Sequence, residues 1–511
     1  MANRLAKTIS GGNSLTTFLL GIDLGAGSLK ATIIDETGRV VGEAAHPITT
    51  SVPHPGWSEQ DPAEWFTALC AAVPAAIAAA GIAPSAISGI AISAGAHIPV
   101  LTDAAGAVLR PAIMWNDQRA AAEAAALHER AGAMIIATSL NRVNPTWTLA
   151  MLAWLQAHEP ETIARTRRLH LAKDYLRFRL TGTWETDFSD AIGALMADNE
   201  TKSWSKEICA LIGWDMTTLP PIKSPTDIVG TVTPQAAAAT GLSPGTPVVC
   251  SSNDTTVEFF GVGATTPGIG AVKLATAGVL FLATQGPSVN PPISCYPHIM
   301  PGMYYTATGT NSCASAHRWL RDTMFAQGGF AEMDSLAATI PPGANGLIFH
   351  PYLQGERAPY WDPLLRADFI GLTISHTRAH FARALYEGIA FSIRDILTAA
   401  QNLGQTYGAI RLMGGGARSP TWRQIIADVT GLTVEVMENG DASFGAALLA
   451  GIGTQTFPTP EAAITTCVRP LSHHTPNPQY HELYSNFFEI YKTAQSTLAP
   501  LNHRLTKIAA A

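Results

Sequence analysis

Charge is scarce in this chain of 511 residues: Asp, Glu, Lys and Arg together make up 14%, against 47% hydrophobic residues. Such a composition gives ample apolar surface for large cores and no basis for extensive disorder. Basic excess is also missing. With a formal net charge of −7, the chain lacks the electrostatic footprint of a nucleic-acid or anionic-membrane binder. Cysteine is thin as well. Cys70, Cys209, Cys250, Cys295, Cys313 and Cys467 show no CxxC or other metal-ligand spacing, so reduced core thiols are expected rather than a disulfide framework. No apolar signal-like stretch precedes the first strand-like segment, and the run Ala71–Ala83 is interrupted by Pro74 and Gly81 and too short to span a bilayer. A cytoplasmic protein with small-molecule partners, and neither nucleic acid nor membrane, is the expectation. Several motifs are absent too: there is no GxxxxGK[ST], Gly25-Ala26-Gly27 lacks the third glycine of a dinucleotide fingerprint, and neither HExxH nor GxSxG occurs.

What is present begins with length. Single cores stop growing at about 250–300 residues, so two domains are the simplest division. Near the midpoint lies Val248–Gly263, VVCSSNDTTVEFFGVG, in which an apolar run delivers the polar turn Ser251–Asp254 and a second apolar segment carries the chain away. Asp254 is thus held at an element end between two halves, where a carboxylate can face an interdomain cleft. The same Asn253-Asp254 pair would also serve merely as a turn.

Phe18–Leu24 and Ala31–Asp35 read as antiparallel strands joined by Gly25-Ala26-Gly27-Ser28. The missing side chains at Gly25 and Gly27 let backbone N–H groups approach a polyphosphate, Ser28 adds a hydroxyl, and Asp23 at the strand end could hold Mg²⁺. An ordinary hairpin turn is the alternative. Asp61-Pro62 with Glu64 reads as the start of an Ala-rich helix. The strand Ile87–Ile92 ends in Ser93-Ala94-Gly95-Ala96-His97, and Trp115-Asn116-Asp117-Gln118-Arg119 then offers an aromatic plane, an amide, a carboxylate and a guanidinium in five residues. That set suits a polyol, with Trp115 covering an apolar sugar face. It would equally cap a helix over Ala120–Glu129.

Gly270–Ala283 echoes the first hairpin in pattern: strand, a small turn with Thr276 and Gly278, and strand. Ser375–Leu403 carries a helical apolar stripe. Ala409–Met413 reads as a strand, Gly414-Gly415-Gly416-Ala417-Arg418 as a loop, and Ser419-Pro420 as a helix start. Three glycines between a strand and a helix N-terminus let a nucleotide lie against backbone, whereas a plain connection needs only one.

Together the segments GIDLGAGSLKATIIDETGRVV, PGWSEQDPAEWF, WNDQR, KDYLRFRLTG with TDFSDA, PYLQGERAPYWDP and GGGARSPTWRQIIADVTG resemble the FGGY family of carbohydrate kinases, its xylulokinase group above all. The likeness runs from about Phe18 to Tyr491. It implies an α/β fold of two actin-like (ribonuclease-H-like) ATPase domains flanking a deep cleft: an extension over 1–17, an N-terminal domain over 18–260 and an ATP-binding C-terminal domain over 261–500. It also implies phosphorylation of a sugar hydroxyl by MgATP, D-xylulose to D-xylulose 5-phosphate, with room for a homodimer. By the same resemblance Asp254 is the catalytic base and, with Asp23, a metal ligand. Gly25, Ala26, Gly27 and Ser28 form the first phosphate turn, Thr276, Ala277 and Gly278 the second, and Gly414, Gly415, Gly416, Ala417 and Arg418 the adenosine loop. Ala96, His97, Trp115, Asn116, Asp117, Asn253 and Asp254 are the sugar-side residues. Three positions depart from the family pattern: Ala26 and Ala277 lack hydroxyls, and the sugar loop reads Gly95-Ala96-His97-Ile98. Those changes keep open a kinase for gluconate, ribulose or another polyol, and a weakly active sugar- and nucleotide-binding regulator.

Overall fold

The computed structural model describes residues 16–290 and 292–509. The expected N-terminal extension falls, up to residue 15, outside the described residues. Each lobe is built on a mixed sheet. The first contains β1 (Phe18–Leu24), β2 (Ser28–Asp35), β3 (Val40–Pro47), β4 (Ile87–Ala94), β5 (Ile228–Thr231) and β6 (Pro247–Val249), in the order β5-β6-β4-β1-β2-β3. The second contains β7 (Ile269–Leu274), β8 (Gly278–Gln285), β9 (Ser294–Pro297), β10 (Met303–Thr310), β11 (Ala409–Met413), β12 (Thr433–Met437) and β13 (Pro470–His474), in the order β9-β10-β8-β7-β11-β12-β13.

The two sheets share one plan. β1 pairs antiparallel with β2 and parallel with β4, while β7 pairs antiparallel with β8 and parallel with β11. The central strands β1 and β7 are mostly apolar and largely buried, as strands inside a mixed sheet with both faces covered must be. The faint echo between the two hairpins is therefore architectural: each puts its turn at the same end of its sheet's central strand.

Helices follow the sequence with informative differences. α1 (Pro62–Ala80) starts at the Asp61 cap and is long and apolar enough to cross a membrane by length and composition, but its face of Trp65, Leu69, Val73 and Ile77 is buried against β2 and β3. The helix expected over Ala120–Glu129 runs instead over Ala121–Ser139, and Asp117 does not cap it. KDYLRFRLTG forms α2 (Ala172–Thr181). Asp254 opens a helix, α3 (Asp254–Gly261), with Asn253 as its cap, where a turn was expected. α4 (Arg378–Asn402), α5 (Pro420–Thr430) and α6 (Ala442–Gly453) complete the second lobe's framework, and a last helix over Pro478–Ala509 continues past residue 500.

Two segments tie the lobes together. α6 lies late in the chain yet packs on β1, β4 and α3 of the first lobe. The approach is close: a Cβ on Gly21 would meet the Ser443 carbonyl at 1.8 Å, and one on Gly445 the Val257 carbonyl at 2.0 Å. The second strap is the β9–β10 hairpin. Asn141 of the first lobe gives and takes a backbone hydrogen bond with Cys295, both at 2.8 Å, and Lys202 donates to the Tyr304 hydroxyl at 2.6 Å. One hydrophobic core accordingly runs from Leu19 and Val257 to Phe281, Tyr305 and Phe444.

Candidate active site

Asp254 stands at the first position of α3, and its carboxylate accepts from Thr255 N at 2.6 Å and Thr255 Oγ1 at 3.1 Å. Burial raises its proton affinity, while Lys273, Thr255 and the backbone N–H of Ala96 favour the ionised form. Asp23, at the end of β1, accepts from Ser93 Oγ at 2.8 Å. Burial and then the neighbouring Asp254 charge push it up to about 8. Lys273 on β7 reaches across the lobe junction to Glu258, one helical turn beyond Asp254, at 2.5 Å. Three carboxylates and one ammonium thus face one another, Glu258 buried and Asp23, Asp254 and Lys273 half-buried. Burial raises Glu258, and the surrounding carboxylates outweigh burial to raise Lys273.

The turn before α3 is braced from beneath. Ser251 adopts φ 64°, a left-handed conformation costly for a residue other than glycine. Arg177 donates to the Cys250 carbonyl at 3.0 Å, and Ser252 Oγ to Asp187 Oδ2 at 2.8 Å. Lys173 sits among Asp174, Asp187 and Asp190 at 2.6, 3.0 and 3.2 Å, all of them buried. Burial pushes Asp190 up to about 8 despite that lysine.

The first phosphate turn is a tight hairpin, Gly25 N donating to Ser28 O at 3.0 Å and Gln60 Nε2 donating to the Ala26 carbonyl at 2.7 Å. Ala26 and Gly27 are exposed, and a Cβ on Gly27 would meet nothing. The second turn, Ala275–Gly278, is pinned to the helix Ala314–Met324: Ala314 N donates to Ala275 O at 2.8 Å, and Ser315 Oγ to Thr276 O at 2.8 Å. Ala277 lies half-buried in that turn and Gly278 opens β8. In the third loop Gly414 takes φ 83° and Gly416 is wedged against Leu274 and Trp422, whereas Gly415 faces open space. Two of the three glycines are therefore packing requirements. Ala417 is buried and Arg418 exposed, before the Ser419 cap of α5.

Around the sugar loop, His97 takes φ 70°, stacks on Trp147 with ring centroids 4.2 Å apart, and places Nδ1 2.7 Å from the Gly193 carbonyl and Nε2 3.2 Å from the Tyr296 hydroxyl. Burial lowers its pKa to about 4, so the ring is neutral. A neutral ring facing a carbonyl with Nδ1 must carry its proton there, leaving Nε2 to accept from Tyr296. The unfolded histidine binds a proton near 6.5 that the folded one excludes until about 4, so stability rises with pH across that window. In His97→Asn this slope should vanish: the melting-temperature difference between wild type and variant should grow from pH 4 to 6.5 and stay constant above.

Trp115 is 48% exposed beside Gly95, and Asn116 is also exposed. Asp117 is buried, with its oxygens taken by Ser58 N, Arg119 N and the Arg119 guanidinium at 2.6–3.0 Å. Asn253, fully buried, accepts from Thr256 N and Oγ1 and donates to Ser189 Oγ. The structure therefore brings Asp23, Ala96 and Asp254 together, and spends Asp117 and Asn253 on the protein's own scaffolding.

The N-terminal domain of the FGGY family of carbohydrate kinases matches residues 18–261, and the C-terminal domain of that family matches residues 271–454. The chain belongs to the FGGY family. It is 32% identical to the xylulose kinase of Bacillus subtilis over 491 residues, covering 96% of this chain and 98% of that one. It is 27% identical to the gluconokinase of the same organism, over 93% of this chain and 95% of that one. The solved xylulose kinase of Rhodospirillum rubrum superimposes with a TM-score of 0.87 at 31% identity, over 95% of this chain and all of that one. The two-lobed α/β fold and carbohydrate kinase activity of the family thus belong to this chain, with a sugar and ATP as its substrates.

Sequence reasoning missed Lys273, Glu258 and Tyr296. Glu258 had a signal available: Asn253 before an apolar-periodic run marks a helix cap, which puts Glu258 one turn above Asp254. Tyr296 had none, since only the fold of the other lobe brings it to His97.

Proposed function

We propose that this FGGY kinase transfers the γ-phosphoryl group of ATP to the terminal hydroxyl of D-xylulose, giving D-xylulose 5-phosphate, with Asp254 as general base. The observation that carries the reading is the position of Asp254. It interacts with Ala96 of the sugar loop, with Asp23 beside the first phosphate turn and with Lys273 at the foot of the second. A group at that meeting point can take the proton of a hydroxyl as it attacks phosphorus in line. The N–H groups of the exposed residues Ala26 and Gly27, the Ser28 and Thr276 hydroxyls and the open face at Gly415 are suited to cradle the nucleotide. Trp115 and Asn116 are free to meet the sugar, while Asp117 and Asn253 act behind them by fixing Arg119 and the start of α3.

Two neighbouring, half-buried carboxylates, of which Asp254 raises the proton affinity of Asp23, suit a hard divalent cation. Such a cation is commonly held by one or two carboxylates, its remaining positions filled by waters and phosphate oxygens. Asp23 and Asp254 would hold Mg²⁺, which when bound supplies positive charge to the phosphates.

A coupled ADP-release screen over pentuloses, aldonates and polyols tests the substrate. D-Xylulose should give the highest kcat/KM. Gluconate in first place would move the assignment toward the gluconokinase relative, and binding of sugar and nucleotide without any sugar-dependent ADP release would favour a regulator.

A further inference from the structure

Two hydroxyls are missing from the phosphate turns, at Ala26 and Ala277, and the second turn carries a cation that no motif announces. Arg318 lies on the helix Ala314–Met324, whose first residues are bonded to that turn, and its Nη2 donates to Thr276 Oγ1 at 2.9 Å. The side chain is exposed, and among the described residues it pairs with no carboxylate. Arg321, one turn on, is by contrast paired with Asp322 at 2.6 Å. Lys273, the other cation near the turn, is committed to Glu258 with Asp23 and Asp254 around it.

The Arg318 contact has a direction. A guanidinium can only donate, so it occupies a lone pair of the threonine oxygen and turns the single O–H hydrogen elsewhere. Thr276 is thereby set as a donor, and four N–H groups of Arg318 remain. A hydroxyl donor beside an unpaired guanidinium matches phosphate oxygens, which arginine binds with charge-assisted hydrogen bonds.

We propose that Arg318 is a phosphate-binding residue of the nucleotide site, supplying charge and orienting the Thr276 hydroxyl where Ala26 and Ala277 supply neither. The proposal rests on the kinase reading above. Its ligand is the phosphate chain of a nucleoside di- or triphosphate, and the nucleoside itself gains nothing from it.

Titration calorimetry of the full chain with ADP, ATP and adenosine, without sugar, tests this in wild type, Arg318→Gln, Arg318→Lys and Arg321→Gln. Loss of a charge-assisted bond should weaken ADP and ATP by ~10–100-fold in Arg318→Gln while adenosine binds as before. Arg318→Lys should recover part of the loss, and Arg321→Gln should match wild type. Adding Thr276→Val to Arg318→Gln should cost less than it does in wild type, since the arginine that orients the hydroxyl is already gone. Unchanged ADP affinity in Arg318→Gln, or an equal loss for adenosine, would overturn the proposal while leaving the kinase reading intact. A wild type that binds neither ADP nor ATP would overturn both.

Discussion

Asp254→Asn is expected to lower kcat by about 10²–10⁴ while ADP affinity and melting temperature stay near wild type. Asparagine keeps the shape of the side chain and an oxygen to accept from Thr255, which sits 2.6 Å away, so α3 should start where it does now. What is lost is the ability to take a proton. Steady-state rates with saturating ATP and sugar give kcat, and single-turnover measurement of sugar phosphate separates the chemical step from release. Near-normal turnover in the variant would remove Asp254 from the reaction and leave it as no more than the first residue of α3.

The other large effect lies away from the reacting groups. Lys173→Met should cost about 3–5 kcal/mol of stability, because it leaves buried Asp187 and Asp190 without their cation and Asp174 with Arg177 alone. Lys173 lies within 3.2 Å of Asp174, Asp187 and Asp190, none of them open to water. Asp187 in turn holds Ser252, two residues before Asp254, so the turn feeding α3 should loosen with the lysine. A lower melting temperature accompanied by a fall in kcat is the expected pair of results. Adding Asp187→Asn and Asp190→Asn, which replaces two of the carboxyl groups that faced the lysine with neutral amides, should restore part of the stability. A variant as stable as wild type would show that this cluster is not the brace its contacts describe.

How much of this was legible in the sequence depended on distance along the chain. The glycine turns at Gly25 and Gly414 and the carboxylates Asp23 and Asp254 announce themselves within a few residues, because strand, tight turn and strand or helix are local patterns. The two-lobed fold followed from the order of six such segments. Lys273 against Glu258 and His97 against Tyr296 could not be read that way, since each pair joins different lobes. Asp117 and Asn253 illustrate a different limit. Residue type says that a carboxylate or an amide can bind a polyol, but not whether its lone pairs point inward, and here Arg119 and Thr256 take them. Helix extents failed for a simpler reason: Gly132, following His128 and Arg130, reads as a stop signal, yet the Ala-rich helix runs through it to Ser139.

The helix Ala442–Gly453 bears on how the protein is made as well as on how it stands. It covers β1, β4 and α3, yet it leaves the ribosome long after them. Until it arrives, the apolar inner face around Leu19, Ala91 and Val257 has no partner. The first lobe must therefore wait, partly open and prone to aggregation, for residues near the far end of the chain. Translation halted at the junction between the lobes would yield a half whose core is missing a wall.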